Sequence, residues 1–234
     1  MTIADKILRA KEDYDEVFEA GKKAEYDEVW DDSKTETDYV CRFAGRYWSD
    51  LTFKPKYDLK LQYNCQRCFT NTRITDLKKC IDDAGVTFST KYMTTGQLLF
   101  YYSLQLTRVP TLDLSDCTAS EYTTEGIFQQ CLELVDIEKI IISEGTKFKY
   151  SNSFLNCHSL ENLVIEGTLG TTGLNLQWST KLSQASITSI INALSTTTSG
   201  LTVTLSQTAV NTAFTTAEWD ALVVTKSNWT ITLV

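Results

Sequence analysis

The chain has 234 residues, 30 acidic and 22 basic side chains, a net charge of −8, 42% apolar residues and 11% aromatics. This is enough apolar matter for a packed core, so wholesale disorder is excluded, and the length allows one long domain or two small ones. No apolar run reaches the roughly 18 residues of a membrane span, the start turns acidic before a secretory signal could form, and no basic stripe suits nucleic acid.

Charge is uneven. The first 38 residues hold 13 acids and 6 bases, a net of −7. Residues 1–37 read as one long acidic helix. Between positions 3 and 32 there is no Pro and only Gly21. Ile3, Ile7, Ala10, Tyr14, Val17, Gly21 and Ala24 recur in alternating steps of four and three, a heptad seam. Two arrangements satisfy it: an amphipathic helix lying on its own domain, or a homo-oligomeric coiled coil, with a trimer as the expected state. The second would make an attachment stem with the body displayed beyond it. Ala10, Gly21 and Ala24 are weak seam residues, which makes an isolated coil marginal.

Residues 38–61 read as an N-terminal cap. Tyr39, Phe43, Tyr47, Trp48, Leu51, Phe53, Tyr57 and Leu59 crowd a short stretch broken by Gly45 and Pro55. The alternation of Tyr57, Leu59 and Leu61 predicts a strand. The aromatics either cover the open end of the body or form a ligand platform. Covering is favoured, because so many apolar groups would otherwise stay wet.

Residues 62–182 carry an irregular repeat. Phe128, Cys131, Leu134 and Ile137 share the spacing F-x-x-C-x-x-L-x-x-[LI] with Phe154, Cys157, Leu160 and Leu163. Phe100, Ser103, Leu106 and Val109 repeat it with Ser for Cys, and Phe69, Thr72, Ile74 and Leu77 form a shorter copy. Leu176, Ser179 and Leu182 make a degenerate fifth. The Phe-to-Phe intervals are 31, 28 and 26 residues. Self-similarity at this period predicts an α/β fold: an irregular solenoid with a narrow parallel sheet, preceded by the long N-terminal helix. Phe would fill the wide part of each coil, and Cys, Ser or Thr a tight inward turn. Short strands such as Leu112–Leu114 and Leu163–Ile165 would build the sheet. Asp76–Ala84 reads as a helix stopped by Gly85, followed by a strand from Val86 to Phe88.

Residues 183–234 read as two helix–strand units that close the C-terminal end. Ser183 caps a helix with Ile187, Ile190, Ile191 and Leu194 on one face. Gly200 breaks into the alternating strand Leu201–Leu205. Thr216 caps a helix over Ala217–Lys226 with Trp219, Leu222 and Val223 inward. The strand Trp229–Leu233 ends the chain.

The repeat copies resemble the BspA-like leucine-rich-repeat family over roughly residues 62–182. That resemblance implies a leucine-rich-repeat solenoid and a role in adhesion or surface binding. The run Val17–Tyr26, the segments Phe43–Gly45 and Thr52–Asp58, and the ending from Ile187–Leu194 to Asn228–Ile231 are similar to leucine-rich-repeat proteins encoded by phages and prophages of anaerobic gut bacteria. They imply a tail-fibre or baseplate-associated virion component, made in the host cytoplasm, that binds other virion proteins and a host-surface glycan or protein. The alternative is a bacterial protein–protein or adhesion module with no virion role. Variable repeat length, Ser103 and Thr72 depart from the family pattern.

Catalytic chemistry is thin, and no enzyme, metal or cofactor is expected. Cys65 and Cys68 form a lone C-x-x-C, whereas a structural zinc site wants four ligands. His158, the only histidine, falls at a variable repeat position beside Cys157. Gly167, Gly170 and Gly173 lack phosphate-loop spacing and read as turn glycines. Ligand binding is instead expected on the inter-repeat segments: Ser89–Gly96 with Tyr92, Cys117–Gly126 with Tyr122, and Ser143–Ser153 with Phe148 and Tyr150. Aromatics among Ser, Thr, Asn and Lys suit a sugar face or a protein surface. The competing reading packs these rings back onto the body.

Overall fold

The computed structural model of the chain describes Ser49, Asp50, Phe53, Pro55, Asp58 and residues 59–234, with the backbone alone of Gln62. The expected helix over 1–37 and most of the cap over 38–61 lie outside the described residues. No helix among the described residues is long and apolar enough to cross a membrane.

The described chain is mixed α/β. Its strands are β1 (Leu59–Asn64), β2 (Phe88–Thr95), β3 (Arg108–Val109), β4 (Leu112–Asp113), β5 (Asp136–Ile141), β6 (Asn162–Glu166), β7 (Leu174–Leu176), β8 (Leu201–Leu205) and β9 (Trp229–Leu233). Its helices are α1 (Leu77–Ala84), α2 (Gln184–Ala193), α3 (Gln207–Ala213) and α4 (Thr216–Val223).

The phenylalanines of the repeat stand one above another. Phe69 stacks on Phe100 at 5.4 Å, Phe100 on Phe128 at 5.5 Å, and Phe128 on Phe154 at 5.3 Å. All four are buried. The turns that carry them share one backbone pattern. Residues two before and two after Phe69, Phe100 and Phe128 adopt positive φ (Arg67 and Asn71, Leu98 and Tyr102, Gly126 and Gln130), and on the Phe154 turn Asn156, two after, does so. This alternation aims every second N–H at the next turn: Phe69 N–H donates to Leu99, Phe100 to Ile127, and Phe128 to Ser153. The intervening N–H groups close local bonds three residues back, as Tyr101 does to Leu98 and Gln129 to Gly126. The buried backbone is thereby paired, and non-glycine residues hold the left-handed conformation at most of these corners because stacked neighbours over-determine it.

The side chain three after Phe100, Phe128 and Phe154 ties the stack. Ser103 Oγ donates to the Phe69 carbonyl at 2.8 Å, Cys131 Sγ to Phe100 at 3.1 Å, and Cys157 Sγ to Phe128 at 3.1 Å. Ser179 Oγ instead reaches the carbonyl of Cys157 at 3.1 Å.

The expected irregular leucine-rich-repeat solenoid with one narrow parallel sheet, preceded by a long N-terminal helix, is corrected. The strands form three separate parallel sheets, β1–β2, then β3 and β4 beside β5 with β6 on its other edge, then β7–β8–β9. Only the phenylalanine corner runs through several of the described turns, so no closed solenoid forms, and the long helix expected before it lies outside the described residues. Two causes are local. Pro110 and Thr111 divide β3 from β4, since proline has no N–H to add to a ladder. A helix takes the next strand's place beside β6: Ser186 Oγ accepts from Leu163 N–H at 2.9 Å, and Ser189 Oγ from Ile165 N–H at 2.8 Å. These hydroxyls of α2 satisfy the edge of β6 and end that sheet.

The outer elements follow their local signals with some shifts. Asp76 caps α1 by accepting from Lys79 N–H at 2.8 Å, and Gly85 ends it at φ +65°. The strand expected from Val86 to Phe88 starts at Phe88 and runs to Thr95. Ser183 caps α2 as expected. Thr215, with Glu218 in a capping box, replaces Thr216 as the cap of α4. The helix α3 was not anticipated. No residue of α4 is buried, so Trp219, Leu222 and Val223 do not enter the core.

Candidate binding surface

The inter-repeat segments leave the stack at a common edge. Met93 of β2 accepts from Cys117 Sγ at 3.3 Å, and two residues on, Thr95 Oγ1 donates to the Thr123 carbonyl at 3.2 Å. Residues 118–122 thus loop out opposite Met93–Thr95. That loop ends in a short 3-10 turn, Glu121–Thr124. Thr123 anchors it from within, donating to the carbonyls of Cys117 at 3.2 Å and Ser120 at 2.6 Å. Tyr122 is left 56% exposed, and Tyr92, just before Met93, 54% exposed.

A third turn adds a cation. Lys149 Nζ lies 4.4 Å from the centroid of the Tyr122 ring and 2.5 Å from Glu121 Oε1. The hydrogen bond to Glu121 raises the lysine pKa, so the ammonium stays charged over the ring. The ammonium lies over the aromatic face with Glu121 beside it, a cation–π arrangement. Lys91 Nζ lies 5.5 Å from the Tyr92 ring in the same manner. The edge therefore presents two tyrosines, each beside a lysine, on a rigid backbone. It can stack on an apolar or sugar face and donate hydrogen bonds around it.

The four residues expected to bind ligand are not kept together. Tyr92 and Tyr122 share the exposed edge. Phe148 is fully buried, with its ring 6.1 Å from that of Phe154, and offers no face to a ligand. Tyr150 is half-buried against Gly173, and its hydroxyl pairs with Thr204 Oγ1 at 2.5 Å. It fastens the phenylalanine stack to the β7–β8–β9 sheet. Sequence reasoning missed Lys149 and Glu121, which meet across 28 residues through the stacking register.

The cysteine chemistry is internal. Cys131 and Cys157 are separate thiols. Burial pushes the Cys117 and Cys157 thiols up to about 12 and Cys131 well above its ordinary value. Each donates to a backbone carbonyl instead of forming a reactive thiolate. Cys65 and Cys68 are buried. His158 is exposed, with its ring edge-on to Trp178 at 5.6 Å. Among the described residues no cluster of three or more His, Cys, Asp or Glu could hold a metal ion. Compared with family models, curated proteins and solved structures, the chain matches none of them.

Proposed function

We propose that this chain is a non-enzymatic binding and structural protein of a phage particle, a tail-fibre or baseplate-associated component that displays its folded body for contact with a host surface or a partner subunit. The observation that carries the reading is the Tyr92, Tyr122 and Lys149 edge, an exposed aromatic and cationic patch mounted on turns tied by backbone hydrogen bonds. Rigid aromatic groups on a fixed scaffold lose little freedom on binding. The hydroxyls and thiols of the repeat are engaged in holding the turns together, which suits a structural scaffold. The resemblance of the repeat and of both ends of the chain to phage-encoded leucine-rich-repeat proteins supplies the particle. In this reading the acidic segment 1–37 attaches the body and assembles it, as a trimer, with the other virion proteins.

The test is the composition of particles. Purified, salt-washed phage from the encoding strain is analysed by quantitative mass spectrometry. The chain is expected at a fixed small number of copies per particle, in multiples of three. Its absence from washed particles, with abundance in the host cell fraction, overturns the virion role and favours the bacterial adhesion module. Light scattering of the full chain and of a chain starting at Asp38 tests assembly. A monomer for the full chain across micromolar concentrations removes the stem.

A further inference from the structure

We propose that a groove at the C-terminal end of the body, between α3, α4 and β9, binds a neutral saccharide. The groove measures about 550 Å³, within the usual range of small-ligand sites. Its walls come from a sharp turn between two short helices. Phe214 follows α3 in extended backbone, and Thr215 starts α4 through its capping box with Glu218. This turn sets the Phe214 and Trp219 rings 5.8 Å apart at 56°. Leu233 of β9 also lines the groove. Phe214 and Trp219 are each half-buried, so both rings keep part of their surface in solvent.

The polar lining is amide and hydroxyl. Gln207 and Asn211 lie one helical turn apart on α3, and Gln207 Nε2 donates to Asn211 Oδ1 at 3.2 Å. That bond leaves the Gln207 carbonyl oxygen as an acceptor and the Asn211 amide as a donor, a pair that matches hydroxyl groups able to donate and accept at once. Among the described residues the Trp219 indole N–H has no partner, so it is a further donor. The lining holds no Asp, Glu, Lys, Arg or His. An anionic ligand would lose its hydration there without gaining a counter-charge, and would meet the Glu218 carboxylate held by Thr215. An apolar ligand would leave the amides unpaired. A neutral pyranose has a C–H face for Trp219 and Phe214 and a rim of hydroxyls for Gln207 and Asn211. The groove is open along one side, so it fits a short oligosaccharide or one end of a longer glycan.

This inference uses none of the residues of the Tyr92–Tyr122 edge and survives failure of the virion reading, because it is decided by saccharide binding and not by particle composition. The full chain is screened against neutral oligosaccharides of two to six hexose or N-acetylhexosamine units, with sialylated and sulfated glycans and an uncharged peptide library in parallel. The best neutral binder is titrated by calorimetry. Trp219→Ala and Asn211→Ala are each expected to weaken binding about tenfold or more, whereas Lys181→Ala, at an exposed position outside the groove, leaves it unchanged. Asn211 is exposed, so Asn211→Ala decides the matter if Trp219→Ala fails to fold. Absence of neutral-saccharide binding at millimolar concentration, equal binding by the variants, or capture of anionic glycans or peptides only would each overturn the assignment.

Discussion

The thiol of Cys131 donates to the carbonyl of Phe100, 31 residues earlier and one turn away, at 3.1 Å. Ser103 and Cys157 make the equivalent bond on neighbouring turns. The position therefore needs a short side chain with a donor, and sulfur is one of two solutions. Cys131→Ser is expected to cost about 1 kcal/mol or less, because Ser103 already fits the same corner. Cys131→Val loses the donor and crowds the turn, at about 2 kcal/mol or more. Urea midpoints of the two variants check this. Equal losses would show that the bond adds nothing to stability.

Burial of the same thiols makes the fold sensitive to alkali. The Cys117 and Cys157 thiols titrate near 12 in the folded chain, against about 8.5 when unfolded. Between those values the folded state holds protons that the unfolded state releases, so stability falls as pH rises through this window. Urea midpoints are expected to drop between pH 8 and pH 10.5, and to drop less in Cys157→Ser. Thiol reagents at pH 8 should leave these groups unmodified until denaturant is added.

Two glycines with positive φ predict very different penalties. Gly85 ends α1 at φ +65° with nothing within 4 Å of a built Cβ. Gly85→Ala is expected to cost only the left-handed backbone term, about 1 kcal/mol. Gly167 sits at φ +111°, where a Cβ would lie 2.0 Å from the Ile142 carbonyl oxygen. Gly167→Ala must displace the backbone that β5 hands to β6. Its thermal midpoint should fall several times further than that of Gly85→Ala, or the chain should fail to fold.

Asp50 is the joint of the first described turn. Its carboxylate accepts from Thr75 N–H at 2.8 Å and Asp76 N–H at 3.2 Å, and also from the Thr75 hydroxyl. Burial pushes its pKa up, but the hydrogen bonds from Thr75 and Asp76 outweigh it and hold the value below the ordinary carboxylate. With the folded pKa lowered, this stabilisation is present above about pH 4 and is lost as pH falls through the folded value. Asp50→Asn is expected to lower stability at pH 7 and to flatten the acid limb between pH 4 and pH 2. An unchanged acid limb would remove Asp50 from the account.

Tyr122 and Tyr92 are exposed, so their loss should act on binding and not on folding. Tyr122→Ala, Tyr92→Ala and Lys149→Ala are expected to shift the thermal midpoint by no more than a degree or two. Host-cell binding should weaken about tenfold for the tyrosines and less for the lysine. Phe148→Ala is the contrasting control. It opens a cavity beside Phe154 and should cost about 3–5 kcal/mol. Binding that is indifferent to Tyr92 and Tyr122 would move the contact surface elsewhere.

What the amino-acid sequence determined alone is what depends on neighbours along the chain. The spacing from Phe100 to Phe128 to Phe154, the small donor three residues later, the cap at Ser183, the stop at Gly85 and the alternation of Leu201–Leu205 are short-range patterns, and each was legible. Tertiary structure decided the rest, for physical reasons visible at single residues. Leu98, Tyr102 and Gln130 hold positive φ only because stacked turns compensate the strain, so no residue type announces it. Ser186 and Ser189 look neutral in a helix, yet their hydroxyls close the edge of β6 and split the expected continuous sheet. Phe148 and Tyr122 look alike as loop aromatics, but one is sealed beneath the stack and the other stands in solvent under Lys149. Burial and cross-turn register are properties of distant segments meeting, and a linear pattern carries no record of which segments meet.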